Sequence, residues 1–145
     1  MRTRKMLFAI SAAGLVLLAG VAYLNTAAVT AASPSTLLTG AQEVPAVISD
    51  ASGNTTISVT ANLTVSGDVF TEGIESTMAQ IQLGAVGING PVLVTLAQVS
   101  ATRWSVPKGT KLSEAQYLSY KAGELYVNVH SAAHSDGEIR VQLAP

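Results

Sequence analysis

The stretch GELYVNVHSAAHSDGEIRVQL, Gly123 to Leu143, constrains the fold more than any other part of this chain. Successive side chains of a strand point to opposite faces, so Leu125, Val127 and Val129 share one face of LYVNVH while Tyr126, Asn128 and His130 share the other. Ser131 to Gly137 is small and polar enough to reverse the chain. EIRVQL then alternates again, with Ile139, Val141 and Leu143 inward and Glu138, Arg140 and Gln142 outward. The stretch reads as a hairpin with one dry face. It carries both histidines of the chain together with an Asp, a Glu and an Arg, so a site made of ionisable groups is expected to include it.

The apolar content, 48% of 145 residues, is enough for one domain with a proper core and not for two. It is unevenly placed. Arg2, Arg4 and Lys5 precede an apolar run from Met6 to Leu24, and small residues follow, ending in AAVTAAS. This is the layout of a secretory signal over residues 1–32, with cleavage expected at Val29-Thr30-Ala31 or Thr30-Ala31-Ala32. The alternative is an uncleaved membrane anchor over residues 6–24, a run long enough to span a bilayer of about 30 Å. The chain contains no cysteine, which excludes disulfides and thiol-linked lipid. A secreted or cell-envelope location, periplasmic or extracellular, is the expectation. Losing residues 1–32 would remove three basic residues and no acidic ones, leaving five against nine and a net charge of −4. Nucleic acid and anionic membrane surfaces are therefore poor partners for the remaining domain, and a membrane enters only if the leader stays attached.

Along the rest of the chain, Leu37 and Leu38 open a first strand and Pro45 marks a bend or an edge. Asp50, Ser52, Gly53 and Asn54 read as a turn. TTISVTANLTV alternates over ten residues and predicts one long strand, which Ser66-Gly67-Asp68 turns into a partner starting at Val69 and Phe70. Thr77 to Leu83 predicts another strand, with Gln80 and Gln82 opposite Ala79 and Ile81. GAVGINGP is a loop, VLVTLAQV a further strand, and Ala101 to Pro107 a short one carrying Trp104. The one helix expected, near 113–122, has Ser113 and Gln116 as a capping box and Leu112 and Tyr117 as a hydrophobic staple. Gly123 stands where a helix ends. Seven or eight short strands and one helix predict an all-β antiparallel sandwich or barrel.

LTGAQEVPAV (Leu38 to Val47), GINGPV (Gly87 to Val92), GELYVNVHS (Gly123 to Ser131) and DGEIRVQL (Asp136 to Leu143) resemble, in order and spacing, the CHRD domain. That module recurs in chordin and stands alone in many exported bacterial proteins. The resemblance implies an immunoglobulin-like sandwich or Greek-key barrel over residues 33–145, distantly similar to copper/zinc superoxide dismutase and without a settled activity. In chordin it implies binding to growth factors. Where the family commonly has a His-x-His pair, this chain has Gln80-Ile81-Gln82, and Val141 replaces the Gly that usually follows Gly-Glu-Ile-Arg. Two histidines at i and i+2 can grip one metal because they project to the same side, whereas glutamine amides are neutral and weak ligands. Only His130 and His134 remain as weak candidate metal ligands, and no cofactor is implied.

The expected function is a binding or cell-envelope interaction module without catalysis, its ligand a protein or a glycan. The candidate binding residues are Tyr126, Asn128, His130, Glu138, Arg140 and Glu43, the last placed there by the family's Glu-Val-Pro. The competing expectation is a metal-binding, superoxide-dismutase-like oxidoreductase with a degraded site. For His130 the plain alternative is a histidine bonded to loop backbone, for Glu138 and Arg140 a surface or inter-strand ion pair, and for Gln80 and Gln82 hydrogen bonds to their neighbours. Nucleophilic catalysis finds no support: there is no Cys, no Gly-x-Ser-x-Gly elbow and no phosphate-loop lysine in GAVGINGP.

Overall fold

The computed structural model describes residues 36–145, so the leader and cleavage site expected from the sequence lie outside the described residues. The described chain is all-β and antiparallel. Its strands are β1 (Leu37–Thr39), β2 (Ser52–Thr55), β3 (Ser58–Val59), β4 (Val65–Ser66), β5 (Asp68–Glu72), β6 (Ser76–Leu83), β7 (Val92–Thr95), β8 (Ala97–Ser100), β9 (Arg103–Ser105), β10 (Leu125–Ser131) and β11 (Ile139–Leu143). Nine of them form one sheet in the order β7-β6-β10-β11-β1-β2-β5-β9-β8, while β3 and β4 pair separately. The two edge strands of the nine, β7 and β8, are consecutive in the chain with only Leu96 between them. A sheet whose opposite edges are joined by one buried residue is a nearly closed barrel, which leaves little free edge to pair with other chains.

Leu96 makes the closure. The sequence reads VLVTLAQV as one strand, but Leu96 turns inward with 3% exposure and donates its N–H to the Ala79 carbonyl at 2.9 Å. Before it the chain pairs with β6; after it, with β9. The alternating TTISVTANLTV is also broken. Asn62 Oδ1 accepts from the Thr64 N–H and the Thr60 hydroxyl, and Leu63 takes a left-handed φ of 70°, so β3 turns back on β4. A local side-chain bond to the backbone has beaten the strand ladder there. Gly67, at φ 122°, is a kink and not a hairpin turn: it leads β4 out of its small sheet into β5, and a Cβ would lie 2.6 Å from the Ile57 backbone. Ser52 to Asn54 forms strand, because β1 and β5 flank it on both sides and satisfy its backbone.

The helix α1 (Glu114–Lys121) starts where the sequence places it, with both halves of the Ser113–Gln116 capping box formed, and Gly123 follows at φ 74°. Inside the barrel, Leu38, Val69, Ala79, Ile81, Leu125, Val127, Val129 and Ile139 are all at most 1% exposed and pack in one cluster with Trp104 and Val141. Leu125→Ala should cost about 2–5 kcal/mol through lost burial and a cavity, and Ser113→Ala about 1 kcal/mol. Urea unfolding of the full chain checks both; a Leu125→Ala loss no larger than that of Ser113→Ala would contradict this packing.

Candidate functional site

Strands β6, β10 and β11 lie side by side and turn a second set of side chains to the outside of the barrel. Their register aligns Gln82, Tyr126 and Gln142 in one row, Gln80, Asn128 and Arg140 in the next, and Met78 beside His130. The sequence divides these residues correctly from the apolar set. Their exposure differs from a water-facing surface: Tyr126 is 1% exposed, Asn128 2%, His130 5% and Arg140 1%. Three connections fold over them, the segment 41–47, the loop 84–91 and the turn 132–138. Tyr126, Asn128, His130 and Arg140 are thus buried beneath these connections and do not face open water.

Arg140 binds two of these connections together. Its guanidinium lies 3.5 Å from the centroid of the Tyr126 ring, a stacked cation–π contact. Its Nη1 donates to Asn89 Oδ1 at 3.1 Å, and its Nη2 to the carbonyls of Ala85 and Ile88 at 3.1 and 3.0 Å and to Gln142 Oε1 at 3.3 Å. Asn89 in turn donates to the Val44 carbonyl, the Tyr126 hydroxyl accepts the Gly90 N–H, and Gln142 donates to the Gly84 and Gly123 carbonyls. Planar and five-donor, Arg suits this role as Lys would not. Glu43, beside Arg140, is only 6% exposed, and its Oε1 has no partner among the described residues. Burial pushes its pKa from 4.5 up to about 7, against the opposing pull of Arg140 and the Val44 N–H.

The neighbouring amides occupy themselves. Gln82 donates to Gln80 Oε1 at 3.0 Å, Gln80 to the Met78 sulfur at 3.2 Å, and Asn128 to Gln82 Oε1 and the Asp136 carbonyl. His130 bonds the loop backbone: Nδ1 donates to the Ser135 carbonyl at 2.9 Å, while Nε2 is buried with no partner among the described residues. His134 lies in the turn, its N–H on the Ser131 hydroxyl. A dismutase-like metal does not fit these donors, since the amides are engaged with each other and no three His, Cys, Asp or Glu groups converge among the described residues.

Glu138 does not pair with Arg140. Its carboxylate accepts from Ser49, at 2.6 Å, and from Ser131. Burial pushes its pKa up, but the Ser131 and Ser49 hydroxyls and the nearby His134 outweigh this and hold it below the usual range. Among the described residues the only ion pair within 4 Å is Arg103–Asp68, elsewhere on the barrel. The sequence reading also missed Asn89, Gln142 and Gly137 as parts of the site. Gly137 has φ 130°, and a Cβ on it would stand 2.4 Å from Asn128 Oδ1. Of the three, only Gln142 gave a signal, by alternating with Arg140.

The profile of the CHRD domain matches residues 35–143, a span that contains every strand and the helix. The chain belongs to the CHRD family. No curated protein and no solved structure matches it. In this CHRD domain the family's Glu-Val-Pro segment supplies Glu43, and its Gly-rich loop supplies the acceptors for Arg140.

Glu43 and Glu138 give stability opposite pH dependences. The raised pKa of folded Glu43 means the native state holds the proton longer, so stability falls as pH rises from about 4.5 to about 7, by up to about 3 kcal/mol. The contribution of Glu138 is present above its unfolded pKa and is lost as pH falls through its lower folded value. Unfolding free energies at about pH 5 and about pH 8 should show the decline in the parent and its absence in Glu43→Gln. A parent more stable at the higher pH would contradict the burial of Glu43. Gly137→Ala should lower stability by more than 2 kcal/mol, roughly, from clash and backbone strain combined.

Proposed function

We propose that this CHRD domain is an exported binding or cell-envelope interaction module that meets its partner with the tip of the loop 84–91. One observation carries the reading. Val86 and Ile88 are 78% and 57% exposed on a loop whose backbone is tied down from beneath by Arg140, Tyr126 and Gln142. Apolar side chains held in water on an ordered backbone gain by being covered, and the ordering cost of binding is already met in the free protein. The partner is a protein or a glycan. The oxidoreductase reading is weaker, because the positions where it needs histidines are taken by the mutually bonded Gln80 and Gln82.

Export supports the same reading and rests on the basic, apolar and small-residue layout of residues 1–32. Among the described residues no helix is long and apolar enough to cross a membrane. The exported product should have a mass that starts after Ala31 or Ala32, and retention of residues 1–31 would point to the anchored form instead. For binding, the exported protein should co-sediment with isolated cell-envelope material, and a Val86→Asp/Ile88→Asp variant should bind about tenfold more weakly or worse with an unchanged melting midpoint. Equal binding by parent and variant would remove the loop tip from the interface.

A further inference from the structure

Between the segment 41–44 and the loop 84–91 lies a cavity of about 260 Å³, lined by Ala41, Val44 and Val86 and by Glu43, Arg140 and Gln142. Its two ionisable groups are not within ion-pair distance of each other. Every hydrogen bond made by Arg140 goes to a neutral acceptor, and none uses Nε. A buried cation without an anionic partner is costly, and so is the Glu43 Oε1 that accepts no bond. Both costs are met at one place, and an open space adjoins it.

We propose that this cavity is a binding site for a small organic carboxylate, with Arg140 as its counter-charge and Glu43 as its hydrogen-bonding partner. Carboxylate is the natural partner of a guanidinium, and a carboxyl O–H donates strongly to a carboxylate oxygen. A single negative charge suits a site with a single cation, whereas a dianion would bury a second charge uncompensated. The apolar wall of Ala41, Val44 and Val86 suits a short alkyl tail.

Proton linkage follows from the geometry. Ionised, Glu43 itself supplies the charge that Arg140 lacks and repels an incoming anion; neutral, it leaves Arg140 to the ligand. Since Glu43 titrates at about 7, affinity should fall about tenfold per pH unit above that value, one proton being taken up with each ligand. The other titratable or charged groups around Glu43 are Arg140 on β11, Tyr126 on β10 beneath it, and His134 and Asp136, which share with Glu43 a second cavity of about 250 Å³ under the 132–138 turn. His134 is separated from Glu43 by the Glu43→Gln variant, which stays neutral at every pH.

The test is a titration of the full chain with propionate, followed by the amide resonances of residues 41–44 and 85–87, at about pH 6 and about pH 8.5. Propionamide, of the same shape but uncharged, is the control. Saturable shifts with propionate only, an affinity more than tenfold weaker at the higher pH, and a pH-independent affinity in Glu43→Gln are expected. No saturable shift, which means water alone fills the cavity, would overturn the proposal, as would an equal response to propionamide. A pH slope retained in Glu43→Gln would overturn the role of Glu43. The site shares Val86 with the apolar loop tip, and a free acid tests it without reference to any macromolecular partner.

Discussion

The stacking of Arg140 on Tyr126 is the contact on which the outer half of this structure depends. A guanidinium 1% exposed in a barrel wall must have its charge and its donors accommodated, and here the ring takes its face while the carbonyls of Ala85 and Ile88 and the side chain of Asn89 take its edges. Those acceptors all belong to the Gly-rich loop. The loop therefore has one way to lie, and Asn89 passes the constraint on to the segment that carries Glu43 by bonding the Val44 carbonyl. Without this cation the carbonyls of Ala85 and Ile88 and the Asn89 side chain would lose their shared donor, and of the side chains beneath it the loop would keep only Tyr126 and Gln142, near its two ends.

The neighbouring row on β6 is held by neutral side chains. Gln80 and Gln82 stand two apart on β6, as a ligand pair would, and face Asn128 across the register. Amides can both donate and accept, so they close on one another and on Asn128 and Met78 in a chain of neutral bonds. What remains unsatisfied is confined to single atoms, Glu43 Oε1, Asn128 Oδ1 and His130 Nε2 on this face. In this member of the CHRD family the face supports the loops that lie over it.

Much of this was legible from residue order. Alternation placed β6, β10 and β11 with the correct inner and outer sets, and the capping pair at Ser113 and Gln116 placed the helix, because in each case local pattern and tertiary demand agree. Where they disagree the reading failed. The alternation through Asn62 is as regular as any strand, yet its side chain binds the backbone and turns the chain. Ser52 to Asn54 has turn composition but sits between two strands that need it. The burial of the outer face was illegible for a different reason: it depends on three connections folding back over distant strands, and no periodicity encodes a loop's destination. Glu43, which lies beside Arg140, was placed there through the family pattern and not through its own surroundings.

Arg140 fixes the 84–91 loop while the barrel core holds the rest. Backbone order parameters of residues 85–90 in the full chain, measured in the parent and in Arg140→Lys, address it directly. Lysine keeps the charge but has neither the plane to stack nor the fork to reach three acceptors at once. The loop should be as ordered as β10 in the parent and distinctly more mobile in the variant, with the order of β10 and β11 unchanged. A loop already mobile in the parent, or equally ordered in both, would contradict the account.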